Sequence, residues 1–171
     1  MAANDRIDFD EVRKYIEDSS EDTKIYIGSD SKRFRKTVNG KEVWFAKYAS
    51  VVCVHHHDNG IGRGCHVFAE NVVERDYGVV ERSGKIKNLK LRMLTEVTKA
   101  LEVFEKIWEA VGDRVLEIHI DINTDPNAES NIALKEARGY VMGVTGKEAI
   151  FKPNALAASF AADAKCNGLL N

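Results

Sequence analysis

The most regular pattern of apolar and polar positions in the chain lies over residues 88–111. Apolar side chains recur there at the three- and four-residue spacing of one helix face: Leu91, Leu94, Val97, Leu101, Phe104 and Trp108. Charged residues occupy the opposite face, and Gly112-Asp113 follow the last apolar position. The pattern predicts an amphipathic helix over 88–111 that ends at the glycine.

Runs of β-branched and aromatic residues predict strands on both sides of this helix. We expect five strands, near residues 24–29, 43–55, 65–73, 114–120 and 149–152. The glycine-rich segment 56–64 predicts a hairpin turn, and the charged segment 30–41 predicts a polar loop. Along the chain, three strands are followed by a helix, a strand, a second helix and the fifth strand.

Three further helices are expected. A short helix over 9–16 precedes the first strand, and a second over about 126–142 follows the fourth strand. An alanine-rich helix follows the fifth strand, with Asn154 as its cap. The order βββαβαβα predicts an α/β fold with a mixed five-stranded sheet, three antiparallel strands followed by two parallel ones, flanked by helices. Because the sequence shows no internal repeat, low-complexity tract or convincing domain boundary, we expect a single domain over 1–171, with 1–23 as an N-terminal helical extension.

Composition narrows the class of protein. Of 171 residues, 44% are hydrophobic and 30% charged, as in globular proteins, and no apolar run reaches the roughly 20 residues of a membrane helix. Three cysteines without CxxC spacing argue against a disulfide framework or a zinc site, so we expect a cytoplasmic protein with no membrane contact. Because the net charge is -2, affinity for nucleic acid would need a local basic patch or a bound metal.

Four acidic residues stand out because each interrupts an apolar segment: Asp30, Glu96, Asp121 and Asp163. A buried carboxylate is costly unless it is paired or binds a cation. Asp30 and Asp121 end predicted strands, and they would meet at the carboxyl ends if these strands are neighbours. Oxygen ligands alone favour Mg²⁺ or Mn²⁺, and two such ions would relieve the repulsion among the four carboxylates. The set therefore predicts a shared cation site.

Each acid also has an ordinary interpretation. Asp30 before a serine is typical of a turn, Glu96 could pair with Arg92 one helical turn earlier, and Asp163 alone is typical of a solvent-facing helix position. The shared site is favoured because one location would account for all four.

Other polar residues are candidates for supporting roles. Ser31 adjoins Asp30, and His119 shares a strand side with Asp121, where it could move protons, hold phosphate or be a satisfied core histidine. Lys152 could reach a phosphate or balance the carboxylates. Consecutive histidines over 55–57 cannot all face one cation, so a hairpin surface is the expected place for them.

Two basic stretches flank these acids. Residues 32–36 offer Lys32, Arg33 and Arg35 to a nucleic-acid backbone and Phe34 to a base, and a second stretch over 82–92 includes Lys87. The ordinary alternative is a solvated loop.

Four sequence blocks occur in an order that resembles the ribonuclease H-like superfamily, and more closely its bacterial YkuK-type branch. They are Ile25-Tyr26-Ile27-Gly28-Ser29-Asp30-Ser31, Met93-Leu94-Thr95-Glu96, Ile118-His119-Ile120-Asp121-Ile122, and Lys152-Pro153 through Ala158-Ser159 to Ala162-Asp163. The resemblance covers about residues 24–166. It implies a metal-dependent nuclease fold in which the four acids are the matching metal ligands.

One departure concerns the fourth strand. In typical ribonuclease H enzymes its aspartate leads almost directly into a helix, whereas here residues 122–127 intervene and Asp125 competes for the role. Asp121 is the better match, and Asp125 before Pro126 is interpreted as a turn or cap residue.

The resemblance implies a two-metal-ion hydrolase of phosphodiesters in RNA, RNA–DNA hybrid or structured DNA. The alternatives are a catalytically silent nucleic-acid-binding or assembly module on the same fold, and a hydrolase of a small phosphorylated molecule.

Overall fold

Three long strands form an antiparallel meander in the first half of the chain. The computed structural model describes residues 6–77 and 89–170. Its first strands are β1 (Lys24–Val38), β2 (Lys41–Asp58) and β3 (Ile61–Arg75). Both connecting turns are Asn-Gly pairs at positive φ, 51° and 75° in the first and 49° and 78° in the second. Such two-residue turns match the right-handed twist of the strands they join.

Helices and two more strands follow the meander. In chain order the other elements are α1 (Phe9–Glu17), α2 (Leu89–Val111), β4 (Val115–Asn123), a 3₁₀ turn (Glu129–Ala133), α3 (Leu134–Thr145), β5 (Ile150–Lys152), a π-helical turn (Ala157–Ala162) and α4 (Asp163–Cys166). The Asp8 carboxylate accepts from the backbone N–H groups of residues 10 and 11 and so caps α1.

The five strands form one sheet in the order β3-β2-β1-β4-β5. β1 is antiparallel to β2 and parallel to β4, and β4 is parallel to β5. The mixed sheet with three antiparallel and two parallel strands is therefore confirmed.

The two faces of the sheet pack against different helices. On one face, which we call the α2 face, Ile25, Ile27 and Val52 pack with the apolar side of α2. On the other, the α4 face, Val51 and Cys53 pack against the π-helical turn and α4. Successive strand residues alternate between the faces, so the face of each side chain can be read from its position.

Several predicted boundaries are wrong. The predicted polar loop over 30–41 is instead the outer half of β1, paired residue by residue with β2 up to Val38 and Lys41. β4 runs on to Asn123 rather than ending at 120. No side-chain bond caps the C-terminal helical segment, so the predicted Asn154 cap is wrong. Cross-strand pairing, rather than burial, holds the charged half of β1.

No helix in the part of the chain that the structure describes is long and apolar enough to cross a membrane.

Candidate active site

Asp30 and Asp121 occupy equivalent places on neighbouring parallel strands. The pairing of β1 with β4 ends at Ser29 and Ile120, and the two aspartates are the next residues on their strands. By the alternation both side chains point to the α4 face. The prediction that the two strands are neighbours is confirmed, and the two aspartates follow directly on the paired residues.

Glu96 approaches the same place from the α2 face. It is 2% exposed, on the buried side of α2 beside Val97 and Ala100. The Ser31 hydroxyl donates a hydrogen bond to Glu96 Oε1, while the Ser31 N–H donates to Asp30 Oδ1 at 2.8 Å. Because β1 has no β4 partner beyond Ser29, the two faces of the sheet meet at this open edge. Ser31 therefore links Asp30 and Glu96 across it.

Asp163 comes from the C-terminal helical segment, together with two polar neighbours on the same segment. Ser159 Oγ donates to Asp121 Oδ1 at 2.8 Å, and Asn167 Nδ2 donates to Asp163 Oδ1 at 2.9 Å. These residues recur every fourth position along the segment. Ser159 connects the segment to the end of β4.

The four carboxylates act on one another electrostatically. Burial, reinforced by the charges of Asp121 and Asp163, raises the pKa of Asp30 to about 6, although the Ser31 N–H and Lys152 oppose the shift. Burial, with the charges of Asp30 and Asp121, raises the pKa of Glu96 well above its usual range, against the Ser31 hydroxyl and Arg92. The anionic forms of these two acids are therefore destabilised in the folded chain.

Lys152 supplies positive charge at this cluster. Its Nζ lies 3.0 Å from Asp121 Oδ1, at the end of β5, and the side chain is 42% exposed. The ion pair is what a lysine that balances the charge of Asp121 would make.

His119 is a satisfied core histidine. Its Nδ1 accepts from the backbone N–H of Ala157 at 3.0 Å, so Nε2 carries the proton and donates to Glu117 at 2.9 Å. Its ring stacks on Tyr26 with 5.0 Å between centroids, and burial lowers its pKa. With both nitrogens engaged, His119 holds the start of the π-helical turn against β4 rather than facing the acids as a proton carrier.

The four carboxylates of Asp30, Glu96, Asp121 and Asp163 meet one requirement of a divalent cation and not another. Carboxylate oxygens are the ligands that Mg²⁺ and Mn²⁺ prefer, and the mutual repulsion of these acids is what such cations relieve. Within residues 6–77 and 89–170, however, no three His, Cys, Asp or Glu side chains are arranged to hold one ion. Asp121 and Asp163 face Lys152 and Asn167 instead. The chemistry of the carboxylate oxygens fits these cations, whereas the described side-chain positions do not surround one ion.

The basic residues predicted to bind substrate fall into separate places. Lys32 lies on the α4 face, where Nζ donates to Asn167 Oδ1 at 2.8 Å. Arg33 lies on the α2 face, ion-paired with Asp76, and its side chain is only 7% exposed. Arg35 is on that face too, 3.1 Å from Glu42, and so points away from the side of Asp30. Lys87 lies outside the described residues, as does most of the second basic stretch.

Two other predictions about polar residues are confirmed. Asp125 Oδ1 accepts from the Asn127 backbone N–H at 2.9 Å, which makes it a turn residue. Of the consecutive histidines, His55 contacts Tyr26 on the α4 face and His56 contacts Tyr15 on the opposite face. The two side chains cannot share one ion.

Sequence reasoning missed three residues at the site. Ser159 and Asn167 bond to Asp121 and Asp163, and Cys166 Sγ lies 3.4 Å from the Asp30 carbonyl oxygen. The four-residue spacing of Ser159, Asp163 and Asn167 was the available signal. Cys166 offered no such pattern.

A cavity of about 500 Å³ adjoins the acids. It is lined by Asn123, Thr124, Asp125, Lys152, Pro153, Ser159 and Phe160. Lys152 and Ser159, the two partners of Asp121, also line this space, so a ligand there would lie next to the carboxylates.

Comparison with known proteins agrees with the sheet topology. A family model described as Ribonuclease H-like matches residues 8–166, nearly the whole chain. The match confirms the predicted superfamily and fold class. No curated protein and no solved structure matches the chain.

Proposed function

The chain belongs to the ribonuclease H-like family, and on this premise we propose that it is a metal-dependent nuclease that hydrolyses phosphodiester bonds in RNA, RNA–DNA hybrid or structured DNA. The four sequence blocks listed above further favour its YkuK-type branch. This finer assignment is part of the proposal.

One observation carries the proposal: Asp30 and Asp121 follow the last paired residues of two neighbouring parallel strands, and Ser31 bonds to both Asp30 and the buried Glu96 at the same edge. The charges of Asp121 and Asp163 raise the pKa of Asp30, and those of Asp30 and Asp121 raise the pKa of Glu96. A fold that gathers like charges at a cost to its own stability is typical of a functional site. A purely structural role gives no reason to keep all four.

Asp30, Glu96, Asp121 and Asp163 would hold the cations, two Mg²⁺ or Mn²⁺ ions in the full proposal. When bound, such ions would lower the pKa of a coordinated water and stabilise the negative charge on the leaving oxygen. Oxygen ligands from carboxylates suit these hard cations better than they suit zinc.

The chain's own residues prepare the site for a polyanion. Ser31 fixes the orientations of Asp30 and Glu96 through its N–H and its hydroxyl. Lys152 is half-exposed beside Asp121. When the Asp121 carboxylate binds a metal cation, the lysine ammonium group can pair with a substrate phosphate instead. Ser159 keeps Asp121 attached to the C-terminal helical segment.

The test is hydrolysis of labelled single-stranded RNA, RNA–DNA hybrid and structured DNA with Mg²⁺ or Mn²⁺. Asp30→Asn removes one anionic ligand while preserving shape, and we expect it to reduce cleavage at least about a hundredfold, as the loss of about 3 kcal/mol of transition-state stabilisation would. Asp113→Asn, exposed before the start of β4 and so at the opposite end of that strand from Asp121, is the matched control and should cleave normally. Full activity of Asp30→Asn would remove this aspartate from the catalytic set.

A second candidate is a nucleic-acid-binding or assembly module without turnover. The observation that favours it is the ion pair of Lys152 with Asp121, in which an ammonium group already neutralises a carboxylate that a metal ion would need. Salt-sensitive binding without cleavage under either metal would support this alternative.

A further inference from the structure

The outer half of the β1–β2 hairpin has two chemically different faces. β1 and β2 pair without a break from Asp30 and Ala49 to the turn, so the alternation of side chains holds throughout. On the α2 face Arg33 and Arg35 are paired with acids, and their guanidinium groups lie over Trp44 at 4.4 and 5.2 Å. That face is internally neutralised.

The α4 face of the same region carries only basic charge. Over residues 32–38, 41–47 and 73–75, all within the described part of the chain, every charged side chain on this face is lysine or arginine. We call its central residues the basic–aromatic strip: Lys32, Phe34, Lys36, Phe45, Lys47 and Arg75. The nearby acids Glu42, Glu74 and Asp76 lie on the opposite side and do not neutralise it locally.

Two phenylalanines lie side by side in this strip. Phe34 and Phe45 are directly paired across the strands, and their rings stack with centroids 5.9 Å apart and planes 21° apart. Both remain partly exposed, and Lys36 Nζ lies 5.5 Å from the Phe34 ring. Aromatic rings flanked by cations on an open sheet face match the stacking platforms on which unpaired bases bind.

The strip is continuous with the acid cluster. Lys32 Nζ donates to Asn167 Oδ1 at 2.8 Å, and Lys47 Nζ donates to the Cys166 carbonyl oxygen at 3.0 Å, both at the end of α4. Phe34 lies four residues beyond Asp30 on the same face of β1, on the order of 13 Å along the strand. A chain lying on the strip would therefore lead directly to the carboxylates.

We propose that the basic–aromatic strip binds single-stranded nucleic acid, with bases on Phe34 and Phe45 and phosphates on the surrounding lysines and Arg75, and feeds it toward Asp30. This inference rests on the proposed nuclease function and specifies its substrate as an unpaired strand. A duplex is disfavoured because its bases are already stacked on one another and cannot lie on the rings.

The test is fluorescence anisotropy with labelled oligonucleotides of about 12 nucleotides, in EDTA so that no cleavage occurs. Single-stranded RNA, single-stranded DNA and the duplex of the same sequence form the three arms. We expect tighter binding of single strands than of duplex, and about a tenfold loss with Phe34→Ala. The RNA and DNA arms show which backbone is preferred.

Control variants separate the strip from the fold. Phe34→Tyr keeps a ring and should restore binding, whereas Arg35→Ala, on the opposite face of the same strand, should bind as the wild type does. Lys36→Ala should reduce the slope of log affinity against log salt by about 0.7. Equal binding of duplex, or an equal loss in Arg35→Ala, would overturn the proposal.

Failure of this proposal is distinguishable from failure of the nuclease function. If cleavage needs Asp30 but Phe34→Ala binds as the wild type does, the nuclease proposal stands and the role of the basic–aromatic strip is rejected. If single strands bind selectively through Phe34 but are not cleaved with either metal, the role of the strip stands and the nuclease proposal is rejected.

Discussion

Lys152 Nζ lies 3.0 Å from Asp121 Oδ1, so an ammonium group at the end of β5 already pairs with the carboxylate near the end of β4. In the proposed nuclease this ammonium group competes with a metal ion for the same carboxylate. The ion pair therefore connects metal affinity to phosphate binding at the site.

Lys152→Met should strengthen metal binding in the absence of substrate. Removing a positive charge next to Asp121 removes its repulsion of an incoming cation, an effect that solvent screens because the lysine is half-exposed. We expect Mn²⁺ affinity, measured by calorimetry, to rise about threefold to tenfold, while cleavage falls because a phosphate contact is lost. Lys135→Met, on α3, is the control and should leave both unchanged. Weaker Mn²⁺ binding by Lys152→Met would contradict this role.

Asp30→Asn should stabilise the metal-free protein at neutral pH. The pKa of Asp30 is about 6 in the folded chain against 3.8 for an ordinary aspartate. Since the folded value is the higher one, the favourable contribution of the protonated acid is complete below the unfolded pKa and is lost as pH rises through about 6. Asparagine does not ionise, so the variant does not lose this stability as pH rises. Its free energy of unfolding should exceed that of the wild type by roughly 2–3 kcal/mol at neutral pH.

Urea unfolding in EDTA at several pH values from about 4 to 8 measures this difference, which should widen as pH rises to about 6 and then level off. Asp125→Asn, in the exposed turn after β4, provides the comparison and should show little change. A constant difference between Asp30→Asn and wild type across this range would count against a raised pKa.

Arg33→Ala and Arg35→Ala should differ strongly in stability although the residues are two apart. Arg33 is ion-paired with Asp76, and their side chains are 7% and 9% exposed, so its removal leaves a buried carboxylate without this partner. Loss of about 3 kcal/mol or more in the free energy of unfolding is expected. Arg35 pairs with Glu42 in solvent, where loss of the pair costs at most about 1 kcal/mol. Similar losses would contradict the assignment of Arg33 to a buried role.

Much of the fold could be predicted from sequence because its core elements carry clear periodicity. The apolar stripe of α2 and the alternation in β4 each point to one structure, and Asn59-Gly60 marked the second hairpin. The outer half of β1 was misjudged because charged residues occupy both of its faces, so no apolar alternation indicated a strand. The pair Asn39-Gly40 did carry the turn signal.

The site was predictable only in part. Acids in apolar segments indicated the cluster, because burial of carboxylates needs a reason that local sequence can reveal. The partner of Arg33 could not be found this way, since Asp76 is 43 positions further along the chain and is brought near only by the pairing of β2 with β3. Likewise the split of residues 32–36 between two faces depends on that segment being a strand.

The central claim is that four distant carboxylates share divalent cations, and calorimetric titration with Mn²⁺ tests it most directly. Wild type and Asp113→Asn should bind Mn²⁺ with the same affinity, whereas Asp30→Asn and Asp163→Asn should each bind at least about tenfold more weakly, a loss of about 1.4 kcal/mol. Equal affinity in all four proteins, or no binding by the wild type, would contradict the claim.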